Sequence, residues 1–256
     1  MSAFGRSAVI IALLLLAAAC GKKGALIYPD MLVPAAPAGV SAQQSGSAVK
    51  LQFTLPDKDR AGRPVHGVAG VKISRLVADT DRKDFCNSCM TDYRLFRTLY
   101  LDRLPADTQR FGSRFVVLDS DVSAGNRYSY RMVPFTVDNV EGAISPAADV
   151  RVAPPLPAPG VKIAAFPTEV KLYLSLQPLQ TGQLLGYNLY RASGAASWPY
   201  QPFNRAPFNG TVYSDTTLER GVQYRYTVRA VIRQPSGDVA ESMPSEEVAG
   251  KLTDDE

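Results

Sequence analysis

The chain repeats itself, and the repeat limits what it can fold into. Asp119, Gly125, Tyr128 and Tyr130 recur at identical spacing as Asp215, Gly221, Tyr224 and Tyr226, and an apolar or alternating run follows each set. Upstream, Val40 opens a segment reaching Val49-Lys50-Leu51-Gln52-Phe53, and Val161 opens one reaching Val170-Lys171-Leu172-Tyr173-Leu174. Gly70-Val71-Lys72-Ile73-Ser74-Arg75 answers to Gly186-Tyr187-Asn188-Leu189-Tyr190-Arg191, and the copies close with Ser145-Pro146 before Val150 and Pro244-Ser245 before Val248. Matched blocks in one order are the mark of a tandem duplication, so a single architecture must serve twice.

That architecture reads as all-β. Short runs of Val, Ile, Leu, Tyr, Phe and Thr are punctuated by Gly, Pro, Asn and Asp, the pattern of an antiparallel sandwich. In Tyr224-Arg225-Tyr226-Thr227-Val228-Arg229-Ala230, the tyrosines, Val228 and Ala230 share one face and are expected to pack. Arg225, Thr227 and Arg229 share the other and are expected to be solvated.

These blocks resemble fibronectin type III modules, on Gly186 to Arg191 as a third strand and on Asp215 through Gly221 to Val228 as the turn and sixth strand. Glu241-Ser242-Met243-Pro244-Ser245 precedes the last strand. The resemblance implies two tandem immunoglobulin-like sandwiches and a tyrosine corner, in which a tyrosine hydroxyl folds back onto nearby backbone. Tyr128 and Tyr224 are the residues in that place, and Tyr130 and Tyr226 should point into the cores. Phe53 and Leu174 stand where the family usually has Trp.

The N-terminus carries an address. Arg6, an apolar run from Ala8, and Ala17-Ala18-Ala19 before Cys20 make a secretory signal too short to cross the ~30 Å hydrocarbon core as a helix. The ending resembles the lipobox of bacterial lipoproteins, though Ala17 stands where that family prefers Leu. The likeness implies cleavage before Cys20 and a diacylglyceryl and acyl (palmitate) anchor on it. Gly21 in place of Asp implies export to the outer membrane, facing the periplasm. Cys20-Gly21-Lys22-Lys23-Gly24 through Pro29 is also similar to small lipoproteins of lipopolysaccharide assembly, which implies an accessory role there as an alternative.

The expected organisation is a signal over residues 1–19, a Pro/Ala-rich tether over 20–37, a first module over 38–153, a Pro-rich connector over 154–159 and a second module over 160–253. With 28 basic and 24 acidic residues, the chain does not point to nucleic acid. Cys86-Asn87-Ser88-Cys89 lies in an insertion of the first copy. In an oxidising compartment it reads as a disulfide closing a small loop. The alternative, a thiol-disulfide enzyme, needs a strand-to-helix setting that the surrounding pattern does not offer. Zinc would need more ligands than the solitary His66 supplies, so neither a metal nor a cofactor beyond the lipid is expected.

Asp57, Asp59, Asp79 and Asp81 read as solvated turn residues rather than paired acid and base. Asp92 to Leu101 alternates apolar and basic residues and reads as a sheet edge, covered or open to a partner. Trp198, Tyr200 and Phe203 gather in one loop, which either plugs the end of a sandwich or stacks against peptide or carbohydrate. The expected function is therefore a non-enzymatic, lipid-anchored envelope protein acting as spacer and interaction module for another envelope protein.

Overall fold

A computed structural model describes residues 28–79 and 92–254. Cys20, Cys86, Cys89 and Asp81 lie outside the described residues. Fifteen strands are described: β1 (Ala38–Ser45), β2 (Ala48–Thr54), β3 (Val68–Asp79), β4 (Arg94–Tyr100), β5 (Thr108–Phe111), β6 (Arg114–Asp119), β7 (Asn126–Thr136), β8 (Ala148–Val152), β9 (Gly160–Ala165), β10 (Val170–Ser175), β11 (Gln183–Ser193), β12 (Val212–Asp215), β13 (Tyr224–Arg233), β14 (Val239–Glu241) and β15 (Val248–Gly250).

In the first module β1, β2, β6 and β5 face a second sheet ordered β4-β3-β7-β8. Period-two alternation turns Val49, Leu51, Phe53, Phe115 and Val117 inward from one sheet, against Val71, Ile73, Leu99, Tyr130 and Met132 from the other. Phe53 and Phe115 stack at 5.5 Å. The second module repeats the plan with β12-β10-β9 facing β11, β13 and β15, around Leu172, Leu189, Tyr226, Val228 and Ile232. Two sheets facing each other in this strand order are immunoglobulin-like sandwiches.

The duplication reaches into the backbone. In both copies the register of the third strand shifts just before its glycine, between Val68 and Gly70 and between Leu184 and Gly186. A β-carbon at Gly70 would stand 2.1 Å from the Leu99 carbonyl oxygen; at Gly186, where φ is +141°, it would stand 2.7 Å from that of Phe208. The side chain is absent because another segment's backbone occupies its place.

The modules are not strung loosely. β14 pairs antiparallel with β13 in its own module and parallel with β1 of the first, Ser45 opposite Glu241. One sheet therefore runs β11-β13-β14-β1-β2-β6-β5 through both sandwiches. The Pro-rich connector is docked as well: the Leu156 carbonyl accepts from the Met243 amide at 2.9 Å. Ahead of β1, part of the segment read as a tether lies against the first module, where Ala35 bonds Lys58, Arg60 bonds Val33 and Ala143 bonds Pro34 through backbone groups.

Candidate functional site

The strongest concentration of buried charge lies at the joint between the modules. β2 alternates Val49, Leu51 and Phe53 into its own core, which turns Lys50 outward, yet Lys50 is only 3% exposed because the second module covers that face. Its Nζ lies 2.8 Å from Glu241 Oε2 of β14, and Glu241 is fully buried. Ser45 Oγ donates to the same oxygen at 2.5 Å, while the Tyr190 hydroxyl and Asn188 Nδ2 donate to Oε1 at 2.7 and 2.6 Å. Ser45 and Lys50 come from one module; Tyr190, Asn188 and Glu241 come from the other.

Both carboxylate oxygens are thus satisfied, the condition under which a buried ion is tolerated. Burial alone would raise the Glu241 carboxyl, but Lys50 and the hydrogen bonds from Lys50, Ser45 and Tyr190 outweigh it and hold it at about 2. Burial and the Glu241 charge push the Tyr190 phenol well above its ordinary range. Around this centre, the Gln44 side chain bridges the Ala153 amide and carbonyl at the start of the connector, and Gly46 N donates to the Glu241 carbonyl.

Beside the network a cleft of about 280 Å³ is bounded by Lys50, Leu118, Tyr190, Trp198, Tyr200 and Arg229. On its far side Gln109 of β5 clasps the aromatic loop: its Nε2 donates to the Trp198 carbonyl and its Oε1 accepts from the Tyr200 amide, at 2.8 and 2.7 Å. The Tyr200 hydroxyl donates to the Ala106 carbonyl at 2.8 Å. Trp198 and Tyr200 are therefore occupied in holding the modules together. Phe203 has a different place, edge-on to Tyr213 at 5.6 Å and packed against the second core. Arg229 and Thr227, expected in solvent, line the cleft, and Arg229 donates to the Ser242 carbonyl.

The repeated residues build a second, duplicated device. In the first module buried Asp119 accepts from Arg75 and from the Tyr130 hydroxyl, both at 2.8 Å. In the second, Asp215 accepts from Arg191 at 2.7 Å and from the Tyr226 hydroxyl at 3.0 Å. Burial, and then the neighbouring aspartate, push both phenols up. Ser145 and Ser245 likewise accept from the amides of Met132 and Val228, at 3.0 Å each. The Tyr128 hydroxyl accepts from the Ser123 amide at 2.8 Å, and that of Tyr224 from the Glu219 amide at 3.2 Å.

Other residues singled out in the sequence fall apart from one another. Asp57 is exposed, but Asp59 is only 5% exposed and binds the amide and guanidinium of Arg63, which corrects its reading as a solvated turn residue. His66 is exposed in the loop before β3. β4 is one of the two end strands of its sheet among the described residues, with Leu95 62% exposed, while Tyr93 is buried and bonds Ser129. Among the described residues no group of three or more His, Cys, Asp or Glu is placed to hold a metal ion.

Lys50, Glu241, Ser45, Asn188 and Gln109 escaped sequence reasoning. Lys50 and Glu241 are 191 residues apart, and each sits on a strand face that alternation assigns to solvent. The local hint is Glu241 itself, an acid four residues before Ser245 as Glu141 is before Ser145, opposite Val231 where Glu141 is opposite Phe135.

No protein-family model matches the chain. Among solved structures it is similar to the FN1–FN3 domains of chicken CNTN1, at 14% identity and a TM-score of 0.33, over 87% of this chain and 68% of that one. The sandwich assignment stands on the strand order of the two modules themselves.

Proposed function

We propose that the protein is a non-enzymatic, lipid-anchored component of the cell envelope, whose paired sandwiches act as a stiff spacer and present surfaces to another envelope protein. The observation that carries this reading is the sheet that continues from one module into the other, locked by the buried Lys50–Glu241 pair. Modules joined by a bare linker reorient freely, whereas modules sharing a sheet and a desolvated ion pair keep one angle. A fixed arm suits reach and presentation.

The lipobox around Cys20 supplies the anchor in this reading, with the outer membrane, periplasmic side, as its location. The acyl chains that the lipobox implies are the attachment in this reading; among the described residues no helix is long and apolar enough to cross a membrane. In this reading Cys86 and Cys89 form a disulfide, and β4, an end strand of its sheet among the described residues, offers an edge where a partner strand can add.

A palmitate analogue fed to cells should label the wild-type protein and leave Cys20→Ala unlabelled. Small-angle scattering of the mature protein should fit one fixed two-module shape. Persistent label in Cys20→Ala, or a scattering profile that demands a broad range of inter-module angles, refutes the proposal.

A further inference from the structure

At the end of the first module remote from the joint, five apolar side chains are left in solvent. Val137 is 72% exposed, Tyr28 61%, Tyr100 54%, and Leu32 and Val140 46% each. They belong to three segments that meet at one tip. Residues 28–35 lie along the 57–61 loop and reach the segment after Val140 through the Pro34–Ala143 bond; Val137 bonds Gly67, and Tyr100 packs edge-on to Phe135 at 5.6 Å. β1 starts at this tip and ends at the joint, about 23 Å further on at a strand's rise per residue.

We propose that this tip is a membrane-contact face, resting in the headgroup layer of the bilayer that holds Cys20; the inference depends on the lipid-anchored reading above. The argument is one of reach. Eight residue steps separate Cys20 from Tyr28, a contour of about 28 Å at most. Tyr28 is itself part of the exposed set, so the tip is the part of the described structure tied closest to the anchor. Confinement of this kind raises the effective concentration of lipid at the tip into the range where weak apolar contacts are populated. Tyrosines beside aliphatic side chains are the composition that settles at a membrane interface.

Charge does not drive the contact. Lys58, Arg60 and Arg63 stand at this tip among Asp30, Asp57, Asp138 and Glu141, and Arg60 and Arg63 are each paired to an aspartate. The contact is apolar, so it should not weaken with salt or depend on anionic lipid. With the tip down, the shared sheet carries the second module away from the bilayer.

The test uses the sole tryptophan, Trp198, which lies at the joint. Full-length lipidated protein is reconstituted into phosphatidylethanolamine and phosphatidylglycerol vesicles carrying a dibrominated lipid. Wild-type Trp198 emission should be unaffected by the bromine. In a Trp198→Phe background, Val137→Trp should lose about half its emission and shift to the blue, at low and high salt alike. Tyr28→Trp in the same background repeats the measurement without touching the 136–140 turn, and adding Val137→Asp and Val140→Asp should relieve its quenching. Protein that floats with the vesicles yet shows neither reporter quenched overturns the membrane-contact face and leaves the anchor standing. Protein that fails to float, with no palmitate label, overturns the anchor and the inference with it.

Discussion

Replacing Lys50 by Met isolates what the joint contributes. Methionine keeps the length and apolar stem of the side chain but removes the charge facing Glu241, which is fully buried. A carboxyl moved from an ordinary 4.5 down to about 2 contributes about 3 kcal/mol of stability. Because its folded value is depressed, that contribution is complete above pH 4.5 and drains away as pH falls towards 2. Removing one partner of a buried pair costs about 3–5 kcal/mol, since the other ion is stranded. Lys50→Met should therefore lower the urea unfolding free energy at pH 7 by about that amount. The gap to wild type should narrow on acidification, as Glu241 in the variant takes up a proton and wild type, below pH 4.5, loses the same contribution. Trp198 fluorescence reports on the joint directly, because its backbone carbonyl is held by Gln109. A variant within about 1 kcal/mol of wild type at pH 7, or a gap that stays constant on acidification, refutes the reasoning.

Asp119→Asn and Asp215→Asn each remove a buried carboxylate from a partly buried arginine and a tyrosine hydroxyl. Each should cost about 1.5–3 kcal/mol by calorimetry, the worth of hydrogen bonds to a charged group, and the double variant should show the sum, as the sites sit in separate cores. Gly186→Ala places a β-carbon 2.7 Å from the Phe208 carbonyl at a φ of +141°. A loss of about 1–3 kcal/mol from backbone strain alone should appear in its melting curve, whereas the same change at Gly112, where nothing lies within 4 Å, should be milder despite its positive φ. Tyr128→Phe removes one hydroxyl that accepts the Ser123 amide. It should cost about 1 kcal/mol by urea titration.

Alternation along single strands was enough to reveal the sandwiches, because each strand buries one face and a face shows as a period of two. Val49, Leu51 and Phe53 could be read this way, and so could Tyr226 and Val228. The duplication also placed Asp119 with Tyr130, and Asp215 with Tyr226, in one matched block and Arg75 and Arg191 in another, without saying that the two blocks meet. The joint was hidden for the converse reason. Lys50, Asn188 and Gln109 lie on faces that look outward in an isolated module, and only the packing of one module on the other turns outward into buried. Trp198 and Tyr200 stood out in the sequence for their size. Nothing local to their loop said that their backbone would be gripped by Gln109 from β5.

Modules of this architecture are often pictured as beads that evolution cuts and re-threads, and β14 argues otherwise here. The strand belongs by sequence to the second bead and by hydrogen bonding partly to the first. Severing the chain in the connector would uncover the Ser45 end of β1 and leave Lys50 as a lone cation on a bare surface. Such a fragment has every reason to stick to its own kind. The two halves are best treated as one inheritance, to be transplanted or truncated together.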